Sequence, residues 1–155
     1  MNKKLCCFYV SDIHLITMLL PYINERINEN TEVITILEND MSRSTRKVMK
    51  GIQGKKSDKL LKIDWTNKNL ENVQDLEVEN KLVLVSGSTE FMEKVNKIIE
   101  NKKCTILNCF EMMQGSVELK HILDSHDKVV NTSGEKYPEE VFIGYQVPES
   151  RKISI

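Results

Sequence analysis

The chain has 155 residues, 40% of them hydrophobic, the size of one ordinary domain that buries about two thirds of its extended surface. Its 22 basic and 23 acidic residues leave a formal net charge of −1, which excludes a protein that holds nucleic acid or an anionic membrane through overall electrostatics. No apolar run approaches the roughly 20 residues that span a bilayer, and the opening MNKKLCCFYV lacks a long apolar core and a small-residue cleavage site; a cytoplasmic protein without a membrane partner is expected.

KLCCFYV (4–10) is a short, continuous apolar run and predicts a strand. The following residues are apolar at Ile13, Ile16, Leu19, Leu20, Ile23 and Ile27, a helical spacing, with Ser11 or Asp12 placed to cap the first turn. Pro21 falls inside this helix, where it removes one hydrogen bond and predicts a kink near residues 17–20. TEVITILE (31–38) predicts the second strand, followed by a helix that opens at Ser42 and closes near Gly51 or Gly54. KLLKIDW (59–65) predicts a third strand, and residues 66–80 a long polar loop with one helical turn. KLVLVSGS (81–88) predicts a fourth strand, residues 89–102 a helix with a stripe at Phe91, Val95, Ile98 and Ile99, and CTILNCF (104–110) a fifth strand. A helix over 116–126 and short strands at KVVNT (128–132) and EVFIGY (140–145) complete the pattern. This alternation predicts one α/β domain over residues 1–155, with three layers and a mainly parallel central sheet covered by helices on both faces.

Several stretches invite a chemical reading. Asp12 and His14, spaced D-x-H after a strand, are what a dinuclear phosphoesterase uses, but that site needs a bridging carboxylate and further His and Asn ligands, and the only other histidines are His121 and His126. Asp12 therefore reads as a helix cap and His14 as a first-turn residue; a small phosphoesterase is the weakest functional alternative. GIQGKKS (51–57) resembles a phosphate loop, yet Met49 replaces its first glycine, Lys56 replaces its metal-binding hydroxyl, and it leads from helix to strand. The four cysteines, Cys6, Cys7, Cys104 and Cys109, lack zinc-site spacing and read as core thiols. SGSTE (86–90) offers either an anion cradle at a helix N-terminus or a capping box. No metal, cofactor or catalytic residue is expected.

In open parallel sheets ligands settle at the carboxyl ends of strands, which gathers Tyr9, Ser11, Asp12, Glu38, Asp64, Trp65, Ser86, Ser88, Glu111 and Met112 at one edge. No nucleophile stands beside an evident base in that set, so it reads as a binding crevice. Separately, Arg43, Arg46, Lys47 and Lys50, with Lys55, Lys56, Lys59 and Lys62, face the single acid Asp58. They form either a solvated helix face or a surface for an acidic partner or nucleic acid, and missing aromatic interleaving counts against nucleic acid.

LCCFYVSDIHLITMLLPYINERINENTEVITIL, and the closing stretch CTILNCFEMMQGSVELKHILDSHDKVVNTSGEKYPEEVFI, together resemble the MEDS domain, a methanogen and methylotroph sensory domain. Phe8 and Tyr9 match its first aromatic pair, Phe110 and Glu111 its aromatic-acid pair, His126 its late histidine and Pro138 the proline after it. The family's first histidine falls near Lys4, its later cysteine near Asn108, and the proline after its late histidine at Asp127. The resemblance implies a fold like the RecA and circadian-clock ATPases without their phosphate loop. It also implies a non-catalytic sensor of a small organic compound that acts through a regulatory protein, a kinase or a transcription factor. The expected ligand set is Tyr9, Asp12, Trp65, Ser86, Ser88, Phe110, Glu111 and His126. The alternative is an interaction module that docks its partner through Arg43, Arg46, Lys47 and Lys50.

Overall fold

The computed structural model describes residues 2–52, 58–112 and 118–151. In chain order the elements are β1 (Lys3–Tyr9), α1 (Asp12–Asn28), β2 (Val33–Leu37), α2 (Ser42–Gly51), α3 (Asp58–Leu61), α4 (Leu70–Val73), β3 (Leu82–Ser86), α5 (Thr89–Ile99), β4 (Thr105–Glu111), α6 (Leu119–Asp124), β5 (Lys128–Asn131), β6 (Gly134–Lys136) and α7 (Pro138–Val141). The strands form one sheet in the order β2-β3-β4-β1-β5-β6, parallel throughout except for the β5–β6 hairpin. The expected α/β class with a mainly parallel sheet is therefore observed.

The first strand lies inside the sheet, between β4 and β5, and after Lys3 and Lys4 it is apolar from Leu5 to Phe8, with Tyr9 at its end. Successive β1 side chains enter different clusters. Leu5, Cys7 and Tyr9 pack with Leu15, Ile16, Leu19 and Ile23 of α1, whereas Cys6 packs with Val95 and Ile99 of α5, Ile106 of β4 and Ile122 of α6. All four cysteines are buried and unpaired, as core thiols. Ser11 is the cap of α1, its Oγ accepting from the backbone N–H of His14 at 3.1 Å, and Asp12 is the first helical residue. The helix continues through Pro21 to Asn28. No helix of the described residues is long and apolar enough to cross a membrane.

Two expected strands are helical or irregular. KLLKIDW contributes the turn of helix α3, with Leu60 buried, and then an irregular segment that brings Trp65 into the α1 cluster. The physical reason lies in the sheet: β2 and β3 pair directly from Val33–Leu82 to Leu37–Ser86, leaving no slot for a strand between them. EVFIGY is likewise no strand. Pro138 sits at the first position of α7, where its fixed φ suits a helix and its missing N–H costs nothing, and Glu140 Oε1 accepts from the Tyr137 N–H at 3.0 Å. The sheet instead takes its last strand from Gly134–Lys136. There Glu135 is held by Lys3 Nζ at 2.5 Å and the Tyr22 hydroxyl at 2.7 Å, which outweigh the effect of burial and keep its carboxyl ionised below the usual range.

Gly87, just after β3, marks the closest approach of the chain to itself. A β-carbon there would lie 2.7 Å from both Glu38 Cβ and Phe91 Cδ1. Gly87→Ala should therefore lower the unfolding free energy by about 1–3 kcal/mol, measured by urea denaturation; an unchanged midpoint would show that Glu38 moves aside freely.

Candidate functional site

The expected ligand residues divide among three places. Five of them lie at the carboxyl edge of the sheet. Tyr9 ends β1 directly opposite Glu111 in the register, and its hydroxyl lies 3.2 Å from Ser86 Oγ at the end of β3. Burial pushes the Tyr9 phenol up to about 12; the Ser86 bond opposes this and the neighbouring Cys109, Glu111 and Asp12 add to it, so Tyr9 is a neutral hydrogen-bonding group. Ser88 caps α5 by accepting from the Phe91 N–H at 3.1 Å. Its own backbone N–H donates to Glu38 Oε1 at 2.7 Å. A carboxylate of the protein thus holds a donor that an anion cradle would present, and the capping role of SGSTE is the one observed.

Asp12 is exposed at the start of α1, and His14 Nδ1 accepts from the backbone N–H of Val10 at 3.0 Å. That bond occupies one of its two ring nitrogens. Among the described residues no group of three or more His, Cys, Asp or Glu is placed to hold a metal ion.

Trp65 is carried not by a strand but by an irregular segment beside the carboxyl half of β2, where the Lys68 N–H donates to the Leu37 carbonyl. It is buried against α1 and α2, and its carbonyl accepts from the Met41 N–H at 2.9 Å. Together with Arg46 and Lys50 it borders a separate cleft beside α2. The part of GIQGKKS from Gln53 to Ser57, which holds Lys55 and Lys56, lies outside the described residues.

Phe110 and His126 belong to a third place, a groove of about 660 Å³ between α5 and α6 with β4 as its floor. Its apolar walls are Met92, Ile106, Phe110 and Ile122, and Lys4, Glu93, Lys97 and Glu100 stand around its rim. At its floor lies a chain of polar groups, Asn108 and His126 buried and Asn96 half-buried. Asn96 and Asn108 exchange reciprocal amide hydrogen bonds of 2.8 and 3.1 Å, and Asn96 Nδ2 also donates to the Met92 carbonyl at 2.7 Å. The second amide hydrogen of Asn108 points to His126 Nε2 at 3.0 Å. His126 Nδ1 is 2.7 Å from the Ile122 carbonyl, which can only accept, so the ring carries its proton on Nδ1 and Nε2 accepts from Asn108. Phe110 meets the imidazole edge to face at 5.7 Å.

Burial pushes the His126 pKa down to about 4, an effect the Ile122 bond only partly offsets. The side chain is neutral at pH 7, and so is the whole floor of the groove. His126 also engages the Ile122 carbonyl at the C-terminal end of α6. Sequence reasoning named Phe110 and His126 but passed over Asn96 and Asn108. Asn108 had a visible signal, since it is the one polar side chain within the buried stretch Ile106–Phe110; Asn96, on a polar helix flank, had none.

Comparison with known proteins brings no match: no family model, no curated protein and no solved structure matches the chain.

The depressed His126 pKa makes a signed prediction. Between pH 6.5 and about 4 the unfolded chain takes up a proton that the folded chain refuses, so His126 lowers stability as the pH falls through this window and adds nothing further below it. The loss should reach up to about 3 kcal/mol. Urea denaturation of wild type and His126→Gln across this range checks it, because glutamine retains an acceptor and a donor but does not titrate. Equal pH slopes for the two proteins would refute the assignment.

Proposed function

We propose that the protein is a non-catalytic small-molecule sensing domain that acts through a partner protein, and that the groove between α5 and α6 takes the ligand. The observation that carries this reading is the Asn96–Asn108–His126 chain at the floor of a 660 Å³ space. A carboxamide in an interior strand of a parallel sheet costs about 1–3 kcal/mol when left without a partner. An aliphatic residue would fill the position at no such cost. Volumes of this size, apolar walls and a few convergent polar groups are what small organic ligands require. Because the floor is uncharged, the groove suits a neutral molecule with hydrogen-bonding groups rather than a phosphate or a carboxylate.

Of the residues that carry the MEDS resemblance, Phe110 and His126 line this groove, and Phe8, Tyr9 and Glu111 adjoin Phe110 along β1 and β4. Phe8 pairs with Phe110 and Tyr9 with Glu111 across β1 and β4, the Phe8 and Phe110 rings stack at 5.9 Å, and Phe110 rests on His126. That convergence supports a MEDS-like identity. The division of the core into one cluster built on α1 and another built on α5 and α6 supports a three-layer, RecA-like arrangement with helices on both faces of the sheet.

A thermal-shift screen of neutral amides, alcohols and heteroaromatic compounds should yield ligands that raise the melting temperature by a few degrees. Their effect should vanish in Asn108→Leu, once circular dichroism has established that this variant folds, and persist in Tyr9→Phe. Ligands that respond to Tyr9→Phe and ignore Asn108→Leu would move the site to the carboxyl edge and overturn the assignment.

A further inference from the structure

We propose that the cleft between α2 and the segment from Leu60 to Thr66 docks an acidic segment of a partner protein, anchored by apolar side chains. The inference stands apart from the groove, with which it shares no residue. The cleft encloses about 450 Å³ and is lined by Met49, Leu60, Leu61, Ile63 and Trp65. Leu61 is 57% exposed at its mouth, an apolar side chain left to water.

Charge decides what the cleft takes. Arg43, Arg46, Lys47 and Lys50 are exposed on the ten residues of α2 and stand three and four residues apart, where like charges repel across the helix surface. Among the described residues none of the four has a carboxylate within ion-pair distance, whereas Lys3, Arg26, Lys81, Lys94, Lys120, Lys128 and Arg151 all do. Two acids nearby in sequence, Asp40 and Asp64, are each ionised and held in a local turn outside ion-pair distance of the four. Asp40 Oδ1 accepts from the Ser42 N–H at 2.8 Å and its hydroxyl at 2.6 Å, and Asp64 Oδ1 accepts from the Thr66 N–H at 2.9 Å and its hydroxyl at 2.6 Å. The helix also has no acidic residue in its first turn and no side-chain cap. Arg46 acts on the Asp40 carboxylate and Asp64 lines the cleft, so the four cations of α2 are only partly balanced by these two acids, and an acidic partner supplies the remaining countercharge while its apolar side chains fill the cleft.

Nucleic acid fits less well. Trp65 is only 6% exposed and offers no open face for a base, and an apolar cleft gives nothing to phosphate.

Trp65 is the single tryptophan of the chain and lines the cleft, so its emission reports occupancy. The test titrates the whole protein with a dye-labelled helical peptide of Glu and Leu at amphipathic spacing, read by Trp65 emission and by anisotropy. Saturable binding is expected, weakened about tenfold by physiological salt and about tenfold or more by the pair R46E and K50E. Leu61→Ser should weaken it with the salt dependence unchanged. The same peptide with Lys for Glu, and single-stranded oligothymidine, should not bind. Absence of peptide binding, binding that ignores the charge reversals, or tighter binding of the oligonucleotide would each overturn the proposal, and none of these results bears on the groove between α5 and α6.

Discussion

The pairing of β1 with β4 along all seven residues of each strand is the constraint on which the rest of the molecule depends. It brings Phe8 beside Phe110, Tyr9 beside Glu111 and Cys7 beside Cys109, and through the two-residue alternation of a strand it assigns each side chain to one cluster or the other. A slip of one residue would exchange the faces of β4. Asn108 would then enter the cluster built on α1, where Leu15, Ile16 and Leu19 offer no hydrogen bond, and its partners Asn96 and His126 would be left unpaired. The polar chain and the sheet register therefore enforce each other: apolar packing would tolerate several registers, while three interlocked polar side chains tolerate one.

The same chain fixes the floor of the groove. Both amide hydrogens of Asn108 are used, one by Asn96 and one by His126, so the three side chains are locked in one arrangement. Orientation is fixed from below. His126 Nδ1 is tied to the Ile122 carbonyl, and Arg151 reaches over the same turn to the carbonyls of Leu123, Asp124 and His126 and to Asp127 Oδ1 at 2.8 Å. Asp127 in turn accepts from the Lys4 N–H at 2.8 Å, which joins the end of α6 to the start of β1. The His126 side of the groove is thus tied at the C-terminal end of α6 to β1 and to Arg151.

The alternation of strands and helices was legible because each long segment carried one unambiguous period: α1 and α5 through their apolar stripes, β3 and β4 through unbroken apolar runs. KLLKIDW misled because a run of seven with Leu60, Leu61, Ile63 and Trp65 satisfies a buried strand and a helical turn alike, and only the direct contact of β2 with β3 decides between them. That contact is non-local. The error carried forward into function, since a strand end at Trp65 put its side chain in the crevice, whereas the fold packs it in the α1 cluster and beside the α2 cleft. EVFIGY failed for a local reason that was readable, the proline at the first turn of α7. The candidate site was legible in part: Phe110 and His126 were found, but Asn96 joins them only through the approach of α5 to β4, a tertiary fact with no trace in sequence spacing.

The net charge of −1 describes the whole chain and hides how its charge is arranged. At the carboxyl edge Glu38 takes the backbone N–H of Ser88, at the place where parallel sheets often hold a ligand's phosphate. The phosphate is in effect replaced by a side chain of the protein, and Gly87 is glycine because Glu38 must come that close. A nucleotide arriving there would meet Glu38, Asp12 and Glu111 with no lysine among them, which turns the edge against anions. Across α2 the arrangement reverses, with four exposed cations and, among the described residues, no carboxylate within ion-pair distance of them. Overall neutrality thus arises from opposed local fields, and the argument from composition, sound against global attraction to a polyanion, leaves intact a short-range attraction to an acidic partner that only the placement of charges reveals.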